Sequence, residues 1–199
     1  MKKLIGIILL FALFSHANMA EDGYKIGDEA RDFKLKGVDG AMVSLSDYPD
    51  AEGFIVIFTC NHCPYSKAYE DRIIDLNTKY KEKGFPVIAI NPNDPEMQPE
   101  DSFEEMVIRA EEKEFNFPYL VDDGTVYKDY GATRTPHTYL LKKEDNKYVV
   151  AYIGAIDDSR KEQEVKEKYL ENAIDAVIKG KNPDPDFTKA VGCGIKSAS

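Results

Sequence analysis

Two cysteines three positions apart, Cys60 and Cys63, are the residues of this sequence best suited to chemistry. They follow an apolar run and precede a helical pattern that Pro64 can start, so we predict that they lie between a buried strand and a helix N-terminus. The free N–H groups and dipole of a helix N-terminus stabilise a thiolate, the reactive form of cysteine, and His62 adds a potential positive charge. The pattern indicates thiol–disulfide exchange, with Cys60 attacking, Cys63 resolving and His62 tuning the thiol pKa.

Two other interpretations of this cysteine pair are a zinc half-site and an inert structural disulfide. The sequence has no second Cys-x-x-Cys, which leaves His62, His137 and Cys193 as the other zinc ligand candidates. A disulfide that closes so short a loop would add little stability to the fold. We therefore predict redox chemistry by the cysteines themselves, without a metal or another cofactor.

The third cysteine, Cys193, lies near the C-terminus between two glycines. We expect this segment to be a mobile tail. Cys193 is an auxiliary candidate that could resolve a disulfide of Cys60 or of Cys63, form an intermolecular bridge, or stay a packed free thiol. The sequence does not choose between these roles.

The N-terminus has the pattern of a secretory signal peptide. Lys2 and Lys3 precede an apolar run of eleven residues, 4–14, and small residues follow. We predict cleavage after Ala20, or else after Ala17, and export to the periplasm; an uncleaved membrane anchor is the alternative. After cleavage we expect no stable membrane association.

The net charge of −10 is poorly suited to phosphate backbones or anionic lipid. We find no basic stripe, so we predict no nucleic-acid partner. Three cysteines, two of them three positions apart, indicate chemistry in a chain that is predicted to be exported. We expect its partners to be protein thiols or disulfides, or small thiols, together with an unidentified redox partner.

Hydrophobic periodicity predicts an α/β fold with a central mixed sheet, helices on both faces and an N-terminal β-hairpin. We expect one redox domain over 21–181 after a signal peptide over 1–20, with a C-terminal tail over 182–199. The predicted elements are hairpins over 33–45 and 137–153, strands at 54–59, 85–90 and 117–121, and helices over 64–83, 103–110, 126–130 and 165–177.

The cysteine motif at 60–64, between a strand and a helix, and the segment 133–137 resemble the thioredoxin superfamily. Five blocks carry a closer resemblance to one of its subgroups, at 60–72, 93–94, 100–104, 131–137 and 191–196. The sequence is most similar to the superfamily's redoxin branch, the proteins related to alkyl hydroperoxide reductase and thiol-specific antioxidant. Within that branch it resembles peroxiredoxin-like thioredoxin proteins with a Cys-Asn-His-Cys-Pro motif. The resemblance covers about residues 25–196 and implies a thioredoxin-like fold.

The resemblance also implies roles for the block at 131–137. Thr135 and Pro136 match the family's cis-proline position, which faces the cysteine pair and holds the backbone of an extended substrate. The alternative is a trans proline that starts an edge strand. Arg134 and His137 flank this position and are further auxiliary candidates.

Two departures from the family pattern limit what the resemblance implies. Peroxiredoxins carry Pro-x-x-x-Thr-x-x before the peroxide-attacking cysteine, and here those positions hold Val56 and Cys60 if Cys63 is that cysteine. Thioredoxin carries a buried acid on the preceding strand, and the run 54–59 has none. Glu70 or His137 is the candidate proton acceptor in its place.

The sequence therefore predicts a thiol–disulfide oxidoreductase of the cell envelope that uses Cys60 and Cys63. One alternative is a thiol-dependent, antioxidant peroxidase acting through Cys63. Another is a copper carrier that binds the metal with Cys60, Cys63 and His137.

Overall fold

The computed structural model describes residues 23–197, and its core is a seven-stranded mixed sheet with the strand order β2-β1-β5-β4-β3-β7-β8. The strands are β1 (Leu35–Gly37), β2 (Met42–Val43), β3 (Gly53–Phe58), β4 (Val87–Asn91), β5 (Tyr119–Val121), β6 (Arg134–Thr135), β7 (His137–Glu144), β8 (Lys147–Gly154) and β9 (Cys193–Gly194). The helices are α1 (Pro64–Tyr80), α2 (Phe103–Glu112), α3 (Val126–Tyr130) and α4 (Tyr169–Ile178).

Strands β3, β4 and β5 pair in parallel at the centre of the sheet, and the remaining pairs of this sheet are antiparallel. The mixed sheet and the N-terminal hairpin β1–β2 predicted from the sequence are therefore confirmed. Short strands β6 and β9 form a separate two-stranded sheet.

The central strand β3 is buried on both faces and connects two hydrophobic clusters. Its side chains alternate in direction, as they must in a strand. Ile55 and Ile57 pack into the cluster that α1 and α4 cover, whereas Val56 and Phe58 pack into the cluster that contains α3. Helices on both faces thus hold β3, and the loop that follows it, in a fixed position.

The last helix begins later than its sequence pattern predicts. Periodicity indicated a start at Val165, but α4 begins at Tyr169. The carboxylate of Asp158 accepts hydrogen bonds from the N–H groups of Lys166 and Glu167 at 2.9 and 3.2 Å, which holds this segment in a non-helical conformation.

The predicted signal peptide, 1–20, lies outside the described residues. Among residues 23–197, no helix combines the length and the apolar character that a membrane span requires.

Candidate active site

The two cysteines flank a loop that connects β3 to α1, as the sequence predicted. Cys63 is the N-cap residue of α1 and Pro64 is its first residue. Pro64 has no N–H to lose, so it starts the helix without breaking a hydrogen bond. Both cysteine side chains are buried, with Cys60 3% exposed and Cys63 0% exposed.

The disulfide in this structure joins Cys63 to Cys193, with a Cα–Cα distance of 6.0 Å, and leaves Cys60 as a free thiol. The Cys60–Cys63 disulfide predicted from the sequence is therefore not the one formed here. The reason lies in the tertiary structure: the C-terminal segment folds back onto the site and brings Cys193 next to Cys63, although the two are 130 residues apart in the sequence.

The C-terminal segment is docked and is not the mobile tail that we expected. In the β6–β9 pair Cys193 lies opposite Thr135, and the Arg134 Nη1 group donates a 3.0 Å hydrogen bond to the carbonyl oxygen of Gly192. Two hydrogen bonds of 2.7 Å tie the backbone of Lys196 to the loop after β4. The backbone of Thr135, predicted to hold a substrate, is paired with the protein's own tail.

The peptide bond between Thr135 and Pro136 is cis, as the family resemblance implied. Thr135 faces both cysteines: its Oγ1 atom lies 3.0 Å from Cys60 Sγ, and its carbonyl oxygen lies 3.2 Å from Cys63 Sγ. The predicted substrate-binding pair and the cysteines are thus brought together.

Cys60 is not in the thiolate-favouring environment that its place in the sequence suggested. Burial, the largest cause, and the negative charge of Asp101 raise the pKa of the Cys60 thiol. Hydrogen bonds with the Thr135 hydroxyl, the Cys63 backbone and the Ser66 hydroxyl act in the opposite direction but do not outweigh burial.

The buried carboxylate of Asp101, in the turn Pro99–Asp101 before α2, organises the loop between the cysteines. Its Oδ1 atom accepts from the backbone N–H groups of Asn61 and His62 at 2.6 and 3.2 Å. Its Oδ2 atom lies 2.5 Å from His62 Nδ1 and accepts from the Asn93 amide at 2.6 Å. These four contacts connect the loop between the cysteines to the loop after β4 through a single carboxylate.

Sequence reasoning missed Asp101, because it stands just before the predicted helix over 103–110, where acidic residues are common at a helix start. A helix does begin there, at Phe103, but no local pattern signals that this acid turns inward towards residues forty positions earlier. The signal exists only in three dimensions.

Neither proton acceptor proposed from the sequence hydrogen-bonds to Cys60. Glu70 forms a bidentate ion pair with Arg109, at 2.8 and 2.6 Å. His137 is buried, which lowers its pKa to about 4, and its Nδ1 atom accepts from the Thr133 N–H at 3.4 Å. The copper ligands proposed from the sequence are also not assembled here, because the Cys63 sulfur is held in a disulfide.

The fold, the cysteine pair at the start of α1 and the facing cis-proline together define a thioredoxin-like protein. The AhpC/TSA family model matches residues 26–152. The chain therefore belongs to the AhpC/TSA family, within the thioredoxin superfamily.

Named relatives agree with this assignment. The thiol-disulfide oxidoreductase ResA of Oceanobacillus iheyensis is 33% identical over 141 residues, which cover 67% of this chain and 68% of that protein. The thioredoxin-like protein YneN of Bacillus subtilis is 29% identical over 174 residues, covering 83% and 96% of the two chains.

A solved structure has a similar fold over most of the chain. A crystal structure of an uncharacterized conserved protein from Geobacillus kaustophilus superimposes with a TM-score of 0.79 at 36% identity and covers 87% of this chain and 93% of that chain. The predicted fold and the predicted enzyme class, a thiol–disulfide oxidoreductase, are confirmed.

Proposed function

We propose that this protein is a thiol–disulfide oxidoreductase of the cell envelope in which Cys63 is shared between two alternative disulfides, one with Cys60 and one with Cys193. The observation that carries this proposal is that Cys63 is bonded to a distant cysteine while the free thiol of Cys60 lies three positions away in the same loop. A thiol next to a disulfide is the arrangement that exchange requires.

In the exchange step the Cys60 thiolate attacks Cys63 Sγ. The Cys60–Cys63 bond forms, the Cys63–Cys193 bond breaks, and Cys193 leaves as a thiolate. One disulfide replaces another, so the step needs no external oxidant or reductant. The Cys60 proton passes to solvent or to the departing Cys193 sulfur.

In the full cycle, reduced Cys60 attacks a substrate disulfide and Cys63 resolves the mixed disulfide, which releases two substrate thiols. The exchange step then runs in reverse: the Cys193 thiolate attacks Cys63 Sγ, the Cys60–Cys63 bond breaks, and Cys60 leaves as a thiolate. Cys193 is half-buried, whereas the other two sulfurs are almost fully enclosed, so an external dithiol reaches the protein most readily at Cys193. That dithiol supplies two electrons and restores three free thiols.

We expect a Cys63→Ser variant to accumulate a mixed disulfide at Cys60, because the thiol that resolves it is missing. The reduced variant is incubated with oxidised glutathione, and the glutathionylated residue is identified by peptide mass spectrometry. A Cys60→Ser, Cys63→Ser double variant is the matched control and should show no adduct at residue 60. Adducts on Cys193 alone in the Cys63→Ser variant would contradict the role of Cys60.

A second candidate function, thiol-dependent peroxidase, is favoured by the same disulfide. If Cys63 takes the position of the peroxide-attacking cysteine, as the family resemblance allows, its bond to a distant partner without Cys60 suits that role. Peroxide consumption that requires Cys63 and survives Cys60→Ser would favour this function over the first. The missing threonine three positions earlier, where Cys60 stands, makes it the weaker candidate.

The proposed location in the cell envelope rests on the predicted signal peptide over 1–20. Its removal would leave a redox domain over 21–181 and a tail over 182–199. Substrates there are protein or small-molecule thiols and disulfides. Determining the N-terminal residue of the protein recovered from the envelope tests the cleavage site after Ala20, and recovery in the cytoplasm alone would contradict export.

A further inference from the structure

The carboxylate of Asp101 is fully enclosed, with its side chain 0% exposed, and its partners in the loop are the backbone N–H groups of Asn61 and His62 and the Nδ1 atom of His62. A buried carboxylate is costly unless it is completely hydrogen-bonded. Here the partners come from the loop between the two cysteines and from Asn93. The hydrogen bonds that offset the cost of burying Asp101 therefore also fix that loop.

The same carboxylate places a negative charge beside the reactive sulfur. Cys60 Sγ, a ring nitrogen of His62 and a carboxylate oxygen of Asp101 all lie within 4.8 Å of one another. At such distances inside a protein, charges interact far more strongly than in water. Asp101 therefore repels a negative charge on Cys60.

We propose that Asp101 is a positioning residue of the redox site: its carboxylate fixes His62 and the loop between the cysteines, and its negative charge disfavours the Cys60 thiolate, so that the cysteine pair works as a reductant. This proposal rests on the proposed function. A stabilised thiolate makes a dithiol oxidising, and a negative charge beside the sulfur opposes that stabilisation.

Other ionisable groups around the loop do not replace Asp101 in this role. Tyr119 of β5 donates to Asn61 and is fully buried, which raises its pKa and keeps it neutral. His137 of β7 is also neutral at pH 7, and Glu70 of α1 is neutralised by Arg109 of α2. Of these groups, Asp101 is the one that places a negative charge beside Cys60.

The test is the pH dependence of Cys60 alkylation by iodoacetamide in mature protein that carries Cys63→Ser and Cys193→Ser. Adding Asp101→Asn keeps an acceptor oxygen for the loop but removes the charge. We expect the midpoint of the alkylation profile to fall and the rate at pH 7 to rise by roughly threefold or more, because more thiolate is present. In the Cys193→Ser background, Asp101→Asn should also shift the glutathione equilibrium of the Cys60–Cys63 pair towards the reduced form by about tenfold.

Glu100→Gln is the matched control, because it removes an exposed carboxylate from the same turn, and it should move neither readout. A merely structural role for Asp101 would lower the thermal stability without moving the midpoint downwards. An unchanged or raised midpoint in Asp101→Asn overturns the proposal. If that variant does not fold, His62→Gln replaces it: the midpoint should rise, and a fall overturns the proposal.

Failure of the proposed function gives a different result. If wild-type protein does not reduce oxidised glutathione or insulin, the function is wrong, yet the alkylation profiles still report whether the Asp101 charge acts on Cys60.

Discussion

Oxidised Cys193→Ser protein is expected to contain a Cys60–Cys63 disulfide and no free thiol, whereas oxidised wild-type protein keeps one free thiol on Cys60. Removing Cys193 leaves Cys63 with a single partner in the chain, and that partner lies in the same loop. The change in disulfide is all-or-none. It is measured by alkylating free thiols in denaturant and mapping the labelled peptides by mass spectrometry.

Cys60→Ser is the matched control, because it removes a cysteine that the observed disulfide does not use. It should retain the Cys63–Cys193 bond and show no free thiol. If oxidised Cys193→Ser protein instead retains two free thiols, Cys60 and Cys63 do not form a redox pair, and the peroxidase function becomes the better explanation of the Cys63–Cys193 bond.

Gly192→Ala is expected to displace the C-terminal tail and to weaken the Cys63–Cys193 disulfide. A Cβ atom at this position would lie 2.1 Å from the carbonyl oxygen of Thr135 and 2.7 Å from its carbonyl carbon. Both are backbone atoms next to Pro136, so no flexible side chain can move aside. Overpacking of this kind costs about 1–3 kcal/mol, which corresponds to a loss of roughly 5-fold to 150-fold in the equilibrium constant for forming this disulfide.

Gly194→Ala provides a matched control two positions away, where a Cβ atom would meet no heavy atom within 4 Å. The measurement is the fraction of Cys63–Cys193 disulfide in a series of glutathione buffers, read by mass spectrometry. We expect Gly194→Ala to match wild type. Equal disulfide fractions in the two variants would show that the close approach of Gly192 to Thr135 does not govern docking of the tail.

The docked tail gives these predictions a common structural basis. It occupies the backbone edge of Thr135, which is predicted to hold an extended substrate, and its Cys193 is bonded to Cys63. Reduction of the Cys63–Cys193 bond by the external dithiol releases the covalent link to the tail. In the proposed cycle the redox state of Cys63 therefore also determines whether that edge is available.

The sequence by itself determined the architecture and the position of the cysteines. The run 54–59 is apolar and β-rich over its whole length, which permits little except a strand buried on both faces, and Pro64 allows a helix to start immediately after the loop. Thr135-Pro136 was placed by family resemblance, and its cis bond is found in the structure.

Only the tertiary structure decided which sulfurs are bonded and what surrounds them. Spacing along the chain favoured Cys60 as the partner of Cys63, but pairing depends on distance in space. Strand β9 brings Cys193 next to Cys63 through backbone pairing with β6, which cysteine spacing does not reveal. Asp101 lies in an acidic run that looks like an ordinary helix start, and its role depends on where its side chain points. Local patterns fix elements of structure, whereas long-range pairing and buried charge are set by the packing of elements that are distant in the chain.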